Sequence, residues 1–134
     1  MDDLAHRSAR EVLDDHLNIA NTWDGGSIDD VLEEDLRRNV SEGIVILINR
    51  GTFRGHDGVR ELARMLADEL PEHKAFRYTY VAVEGNVGML EWEYEDSTVR
   101  VRDGVDSYLV EDGKIVAQTI HYTLESDPPT PTDR

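Results

Sequence analysis

Residues 99–124, VRVRDGVDSYLVEDGKIVAQTIHYTL, decide the fold. Val99 to Val110 reads as one long strand, and Lys114 to Leu124 as the next. Between them Asp112-Gly113 is a strong hairpin signal, because both residues tolerate the positive φ that a tight two-residue turn demands. The same grammar extends upstream. Phe76, Tyr78 and Tyr80 alternate with Arg77, Thr79 and Val81, Glu84-Gly85-Asn86 is a turn, and Val87 to Tyr94 is a further strand. Four antiparallel strands therefore fill the second half of the chain.

The first half carries a different period. In residues 4–23, Leu13, Leu17, Ala20 and Trp23 form one apolar stripe at helical spacing, ended by Asp24-Gly25-Gly26. Ser27 is a candidate N-cap for a second helix whose inner side is Ile28, Val31, Leu32 and Leu36. The apolar run Gly43–Asn49 predicts a strand buried on both faces. A turn or short strand follows at 50–55. Asp57 is a candidate N-cap for a third helix, striped by Val59, Leu62, Ala63, Leu66 and Leu70 and closed by Pro71. The expectation is an α+β cone: a strongly curved antiparallel sheet wrapped around three N-terminal helices, with room for a pocket at its wide end. It takes in residues 1–125 as one domain. Residues 126–134, with three prolines and no apolar side chain, are expected to be a disordered tail.

Composition narrows the function. At 134 residues the chain can bury a real core. It has no cysteine, which removes disulfides, thiol catalysis and cysteine-based zinc sites. Net charge is −15, from 14 Lys and Arg against 29 Asp and Glu. Such a chain repels phosphate backbones and anionic lipid, so neither nucleic acid nor a membrane is an expected partner. No apolar run approaches the ~20 residues of a membrane span, and Met1-Asp2-Asp3 does not open a signal peptide, so a cytoplasmic location is expected. Lys74 and Lys114 are the only lysines, and the acidic residues are spread evenly. A solubility charge and adaptation to high salt both account for that pattern. The five histidines show no metal-ligand spacing, so neither a metal nor a cofactor is expected.

The element order and three local patterns resemble the nuclear transport factor 2-like superfamily, most of all its SnoaL-like branch. The patterns are Phe53-Arg54-Gly55-His56-Asp57-Gly58-Val59, Asp106-Ser107-Tyr108-Leu109-Val110 and Glu111-Asp112-Gly113-Lys114-Ile115. The resemblance covers roughly residues 10–124. It implies the cone fold, pairing of two copies through their sheets, and a ligand pocket. It also implies a choice among cyclases, isomerases, dehydratases, epoxide hydrolases and members with no known reaction. Ketosteroid isomerases of that superfamily use a tyrosine on the first helix, an aspartate base at the end of the first strand, and an oxyanion-hole acid on the penultimate strand. The first falls here on Ile19 and the second on Ile46–Ile48; only the third finds a match, Asp106. An isoleucine cannot be a general base, so isomerase chemistry of that kind is not expected.

What surrounds Asp106 depends on one loop. With a two-residue loop at Asp112-Gly113, Glu111 faces Lys114, Asp106 faces Thr119, and His121 shares the face of Asp106 as a proton-transfer partner. With a three-residue loop, Asp106 faces Gln118, joined by Tyr108, Ile120 and Tyr122, and His121 turns away to lie opposite Asp103. A one-residue slip exchanges the two faces. Three further candidates stand apart. With a tight turn at Asp96-Ser97, Glu91 would face Arg102 and Glu93 would face Arg100, as surface ion pairs or, for Glu91, as a polar anchor in the pocket. Trp23 ends the first helix, either as core or as a ligand platform. His56-Asp57 sit at a helix start, for capping or for anion capture. The candidate catalytic residues are thus Asp106 and His121. The candidate binding residues are Trp23, Glu91, Tyr108, Gln118 and Tyr122. The expected activity is a cofactor-independent acid–base lyase, isomerase or cyclase acting on a small apolar or polycyclic molecule. The alternative is a non-catalytic binding or dimeric interaction module.

Overall fold

A computed structural model describes residues 4–22 and 28–126 of the chain. The helices are α1 (Ala9–Thr22), α2 (Ile28–Asn39) and α3 (Gly55–Glu69). The strands are β1 (Val40–Ile48), β2 (Gly51–Arg54), β3 (Phe76–Glu84), β4 (Val87–Glu95), β5 (Val99–Glu111), β6 (Lys114–His121) and β7 (Glu125–Ser126). Trp23, the loop after it and the Ser27 cap lie outside the described residues, as does the tail beyond Ser126.

The sheet runs β2-β1-β6-β5-β4-β3, with β7 beside the end of β5. It is mixed rather than antiparallel throughout, because β1 pairs with β6 in parallel. The helices α1 and α2 lean on one face together, and α3 packs on β1 and β2. The expected strand 43–49 is covered on one face only: Ile44, Ile46 and Ile48 are buried, whereas Leu47 is 49% exposed. Both helix starts differ from the stripe reading. A capping box, with Ser8 N–H donating to Glu11 Oε1 (2.8 Å) and Glu11 N–H donating to Ser8 Oγ (3.1 Å), begins α1 at Ala9. Helix α3 begins at Gly55, two residues before Asp57. Its N-cap is Arg54 in extended backbone without a side-chain cap, and Gly55 takes a φ of 68° to make the corner. His56 turns in to bond Val40 O (2.9 Å), and Asp57 pairs with Arg60, so neither caps the helix.

Four register breaks curve the sheet. One lies between Val40 and Val45 on β1. A second falls between Tyr78 and Tyr80, so Tyr80 points outward against Glu91 while Val81 turns in. The third separates Val101 from Gly104, and the turn before it is wider than a two-residue loop. Glu91 therefore faces Val105, Glu95 faces Arg100, and neither expected ion pair forms. Glu93 pairs with Arg77, and Arg102 with Glu125 (2.7 Å).

The fourth break settles the hairpin question in an unforeseen way. Glu111 faces Lys114 across a two-residue turn in which Asp112 and Gly113 have φ of 52° and 72°. Val116 is then left unpaired as a bulge, and from Leu109 onward the pairing has moved by one residue. The loop belongs to the first alternative and the face to the second. Asp106 faces Ile120, Tyr108 faces Gln118, and His121 lies opposite Val105 on the other side of the sheet, exposed. The proton-transfer pair of Asp106 and His121 does not form.

Candidate functional site

The inner face of the sheet carries one apolar row across five strands, Ile48–Ile120–Asp106–Leu90–Val81, with a carboxylate in its middle. A buried carboxylate must find donors. Trp92 Nε1 donates to Oδ1 (2.9 Å), while Tyr108 Oη (3.2 Å) and Gln118 Nε2 (3.1 Å) donate to Oδ2. Burial raises the Asp106 pKa above the ordinary carboxylate value, against the pull of these donors and of the charge on His16. Tyr108, buried beside it, is raised well above the usual phenol range.

Trp92 is held by its surroundings. Its ring lies 5.5 Å from Phe76 and 5.3 Å from Tyr122, and its far side covers Gly104. A Cβ at Gly104 would stand 2.3 Å from Trp92 Cδ2, so only glycine lets the indole lie flat there and reach Asp106.

In front of Asp106 a cavity of about 600 Å³ opens between the sheet and the three helices. Its walls are mostly apolar, with Leu17, Leu32, Leu66, Phe76 and Leu90 among them, and Trp92, Asp106 and Tyr108 form the floor. The opposite wall holds two polar residues that break the helix stripes, His16 of α1 and Asp35 of α2. His16 Nδ1 meets Asp35 Oδ2 at 2.8 Å, and Asp35 Oδ1 accepts from the fully buried Asn39 (2.8 Å). Burial lowers the His16 pKa, but the charge and bond of Asp35, with Asp106 and Asp15 beyond, outweigh it and leave the group raised.

The sequence candidates divide accordingly. Asp106, Tyr108 and Gln118 come together. Tyr122 lies behind Trp92, and its hydroxyl donates to Glu69 Oε1 (2.5 Å) rather than facing Asp106. Glu91 is exposed on the outer face and is not a pocket anchor, because it alternates with the buried Leu90 and Trp92 along β4; the bulge on β5 only sets it against Val105. Trp23 lies outside the described residues. His16, Asp35 and Trp92 were not among the candidates. Their signal was present: His16 interrupts the stripe Leu13–Leu17, Asp35 adjoins Leu32 and Leu36, and Trp92 must oppose Glu91 at period two. Among the described residues, no group of three or more His, Cys, Asp or Glu side chains is placed to hold a metal ion.

The family model of the SnoaL-like domain matches residues 18–118. The chain belongs to the SnoaL-like domain family. No curated protein matches it. Among solved structures, this SnoaL-like chain is similar to an NTF2-like protein of unknown function from Burkholderia xenovorans LB400. That match has 18% identity and a TM-score of 0.64, and covers 91% of this chain and 88% of that one. A candidate isomerase of the SnoaL-like family from Agrobacterium tumefaciens C58 matches with 16% identity and a TM-score of 0.59, over 81% and 97% of the two chains. A candidate SnoaL-like polyketide cyclase from Mesorhizobium loti matches with 16% identity and a TM-score of 0.57, over 87% and 100%. At these identities the likeness speaks for the shared fold of three helices and a curved, unclosed sheet.

Proposed function

We propose that this SnoaL-like protein is a cofactor-independent acid–base lyase, isomerase or cyclase for a small apolar or polycyclic molecule, with Asp106 as the proton carrier. One observation carries the reading: a single carboxylate sits in the floor of a largely apolar cavity, with Trp92, Tyr108 and Gln118 behind it. A desolvated carboxylate is a stronger base than one in water, and its raised pKa keeps more of it protonated near neutral pH, so the same group can also serve as the acid that returns the proton. On a ligand with an acidic C–H beside a carbonyl, Asp106 takes the proton and the bonding pair moves to the carbonyl oxygen. Return of the proton at another carbon completes an isomerisation. Loss of a β-hydroxyl, which leaves as water with the proton that Asp106 gives back, completes a lyase step. Attack of the enolate carbon on a second carbonyl closes a ring, and the alkoxide so formed takes the proton from Asp106. The descriptions of the Agrobacterium and Mesorhizobium proteins, a candidate isomerase and a candidate polyketide cyclase, agree with this class.

The reading includes a cytoplasmic homodimer, formed through the outer face of the sheet. Leu47, Tyr80 and Val87 are 49%, 52% and 55% exposed there, and Val105, Leu109 and His121 share that face. No described helix is long and apolar enough to cross a membrane.

The test uses fused-ring 1,3-diketones and cyclic enones in D₂O, with deuterium uptake read by mass spectrometry. Wild-type protein is expected to speed exchange over buffer. Asp106→Asn is expected to lose that acceleration by about a hundredfold or more with an unchanged circular dichroism spectrum. Compounds that raise the melting temperature but exchange at the buffer rate would make the chain a binding module. If no compound does either, the interaction reading takes over.

A further inference from the structure

The cavity has a second polar wall, and its construction gives it a task. Nδ1 of His16 is committed to Asp35 at 2.8 Å. Asp35 is fixed in turn: its other oxygen accepts from Asn39 (2.8 Å), and Asn39 Oδ1 accepts from Arg7 (2.9 Å). Arg7 also donates to Arg38 O (2.6 Å) and Gly113 O (3.0 Å), which ties the row to the β5–β6 hairpin. A ring held through Nδ1 by a fixed carboxylate presents Nε2 elsewhere, and among the described residues Nε2 has no protein hydrogen-bond partner. The ring stands edge-on to Tyr108, 5.7 Å between centroids, and Tyr108 donates to Asp106. His16 and Asp106 therefore line one cavity, with a shared neighbour between them.

An enolate formed in that cavity would need a donor for its oxygen. Trp92 and Tyr108 are already committed to Asp106, and Asp35 only accepts when ionised; Lys74 and Tyr78 also line the cavity at its exposed rim, whereas His16 is held in place by a buried carboxylate. We infer that His16 is the second catalytic group: it donates from Nε2 to the ligand's carbonyl oxygen while Asp106 takes the carbon-bound proton, and Asp35 is the positioning residue that holds the ring. This rests on the acid–base reading above and names its substrate class, a carbonyl compound whose oxygen and acidic carbon span the two walls. The charges facing His16 are Asp35 from α2, Asp106 from β5 and Asp15 from its own helix, with the Tyr108 phenol from β5. All three carboxylates favour the protonated ring that such a donor requires.

The test does not depend on turnover. 2-Naphthol is a planar enol mimic whose hydroxyl can donate to Asp106 and accept from His16. Its binding is followed by fluorescence between pH 5.5 and 8.5. For the wild-type protein, affinity is expected to fall as pH rises through the His16 titration. In His16→Gln it is expected to be about tenfold weaker at the acid end and to lose that fall. Asp35→Asn is expected to move the fall to lower pH, because a carboxylate that favours the imidazolium is gone. Should either variant fold poorly, the ¹⁵N shifts of His16 in the wild-type protein serve instead, with added naphthol expected to hold the ring protonated to higher pH. Wild-type protein that binds no naphthol, or a His16→Gln variant that keeps both affinity and pH profile, overturns the assignment. Normal His16-dependent binding without any Asp106-dependent exchange keeps His16 as an oxygen-binding group and removes the acid–base reading alone.

Discussion

Asp96 and Asp106 belong to one hairpin, Asp96 at its turn and Asp106 midway along β5, and each gathers donors from aromatic residues and other neighbours. Asp96 accepts from the Tyr94 hydroxyl, from Thr98 N (2.7 Å) and Oγ1 (3.0 Å), and from Val99 N (2.9 Å). Asp106 accepts from Trp92, Tyr108 and Gln118. Asp96 has four donors and Asp106 three, yet the outcomes are opposite. The Tyr94 hydroxyl and the backbone amides hold Asp96 down at about 2, whereas burial drives Asp106 up despite its donors. The difference is water. At the turn, hydrogen bonds add to solvation of the charge. On the inner face they replace it and fall short. A carboxylate that falls short in this way is stored basicity.

The strongest way to break the comparison is to move Trp92. Gly104→Val would drive its side chain into the indole, which is confined by Phe76 and Tyr122. We expect a loss of about 3 kcal/mol in urea unfolding, from overpacking in a buried site. A red shift of tryptophan emission should accompany it. An unchanged unfolding midpoint would mean that the sheet yields at the bulge and that Trp92 is not pinned.

Neutralising each carboxylate sharpens the contrast and costs less. Asp106 is raised in the folded protein, so its contribution to stability is fully present below its unfolded value and is lost as pH rises through the raised folded value. Asp96 is lowered, so its contribution is present above the unfolded value of about 3.8 and lost as pH falls through about 2. At pH 7, Asp106→Asn should therefore raise the melting temperature by a few degrees, and Asp96→Asn should lower it. Below about pH 3 both differences should shrink. Two melting curves per variant, at pH 7 and pH 3, decide the matter. A destabilised Asp106→Asn at pH 7 would mean that its donors outweigh its burial.

The sequence carried the fold further than it carried the site, for a physical reason. Helix stripes and hairpin turns are local, so α3 and the β5–β6 turn were legible from Val59–Leu70 and Asp112-Gly113. The faces of the strands are not local, because each bulge adds one residue and inverts everything beyond it. Val116 alone sends His121 outward and brings Gln118 to Asp106. The break near Thr79 turns Tyr80 out, and the break before Gly104 gives Glu91 Val105 as its partner in place of Arg102. Nothing in a period-two pattern marks such an insertion. His16 and Asp35 were hidden differently. Each is a polar residue on an apolar stripe, and only the packing of α1 against α2 brings the two side chains together.

The smallest expected effect comes from trimming the donor set itself. Tyr108→Phe removes the longest of the three bonds to Asp106, at 3.2 Å, while Gln118 still serves the same oxygen and Trp92 the other. No buried acceptor is left without a partner, so the stability change should stay within about 1 kcal/mol. The carboxylate loses one of the groups that favour its charge, so its pKa should rise further. The pH at which deuterium exchange switches on should move upward accordingly, with a plateau rate within about tenfold of wild type. The direction is the test. If the onset moves to lower pH, the Tyr108 hydroxyl was not stabilising the Asp106 charge, and its role lies with the ligand instead.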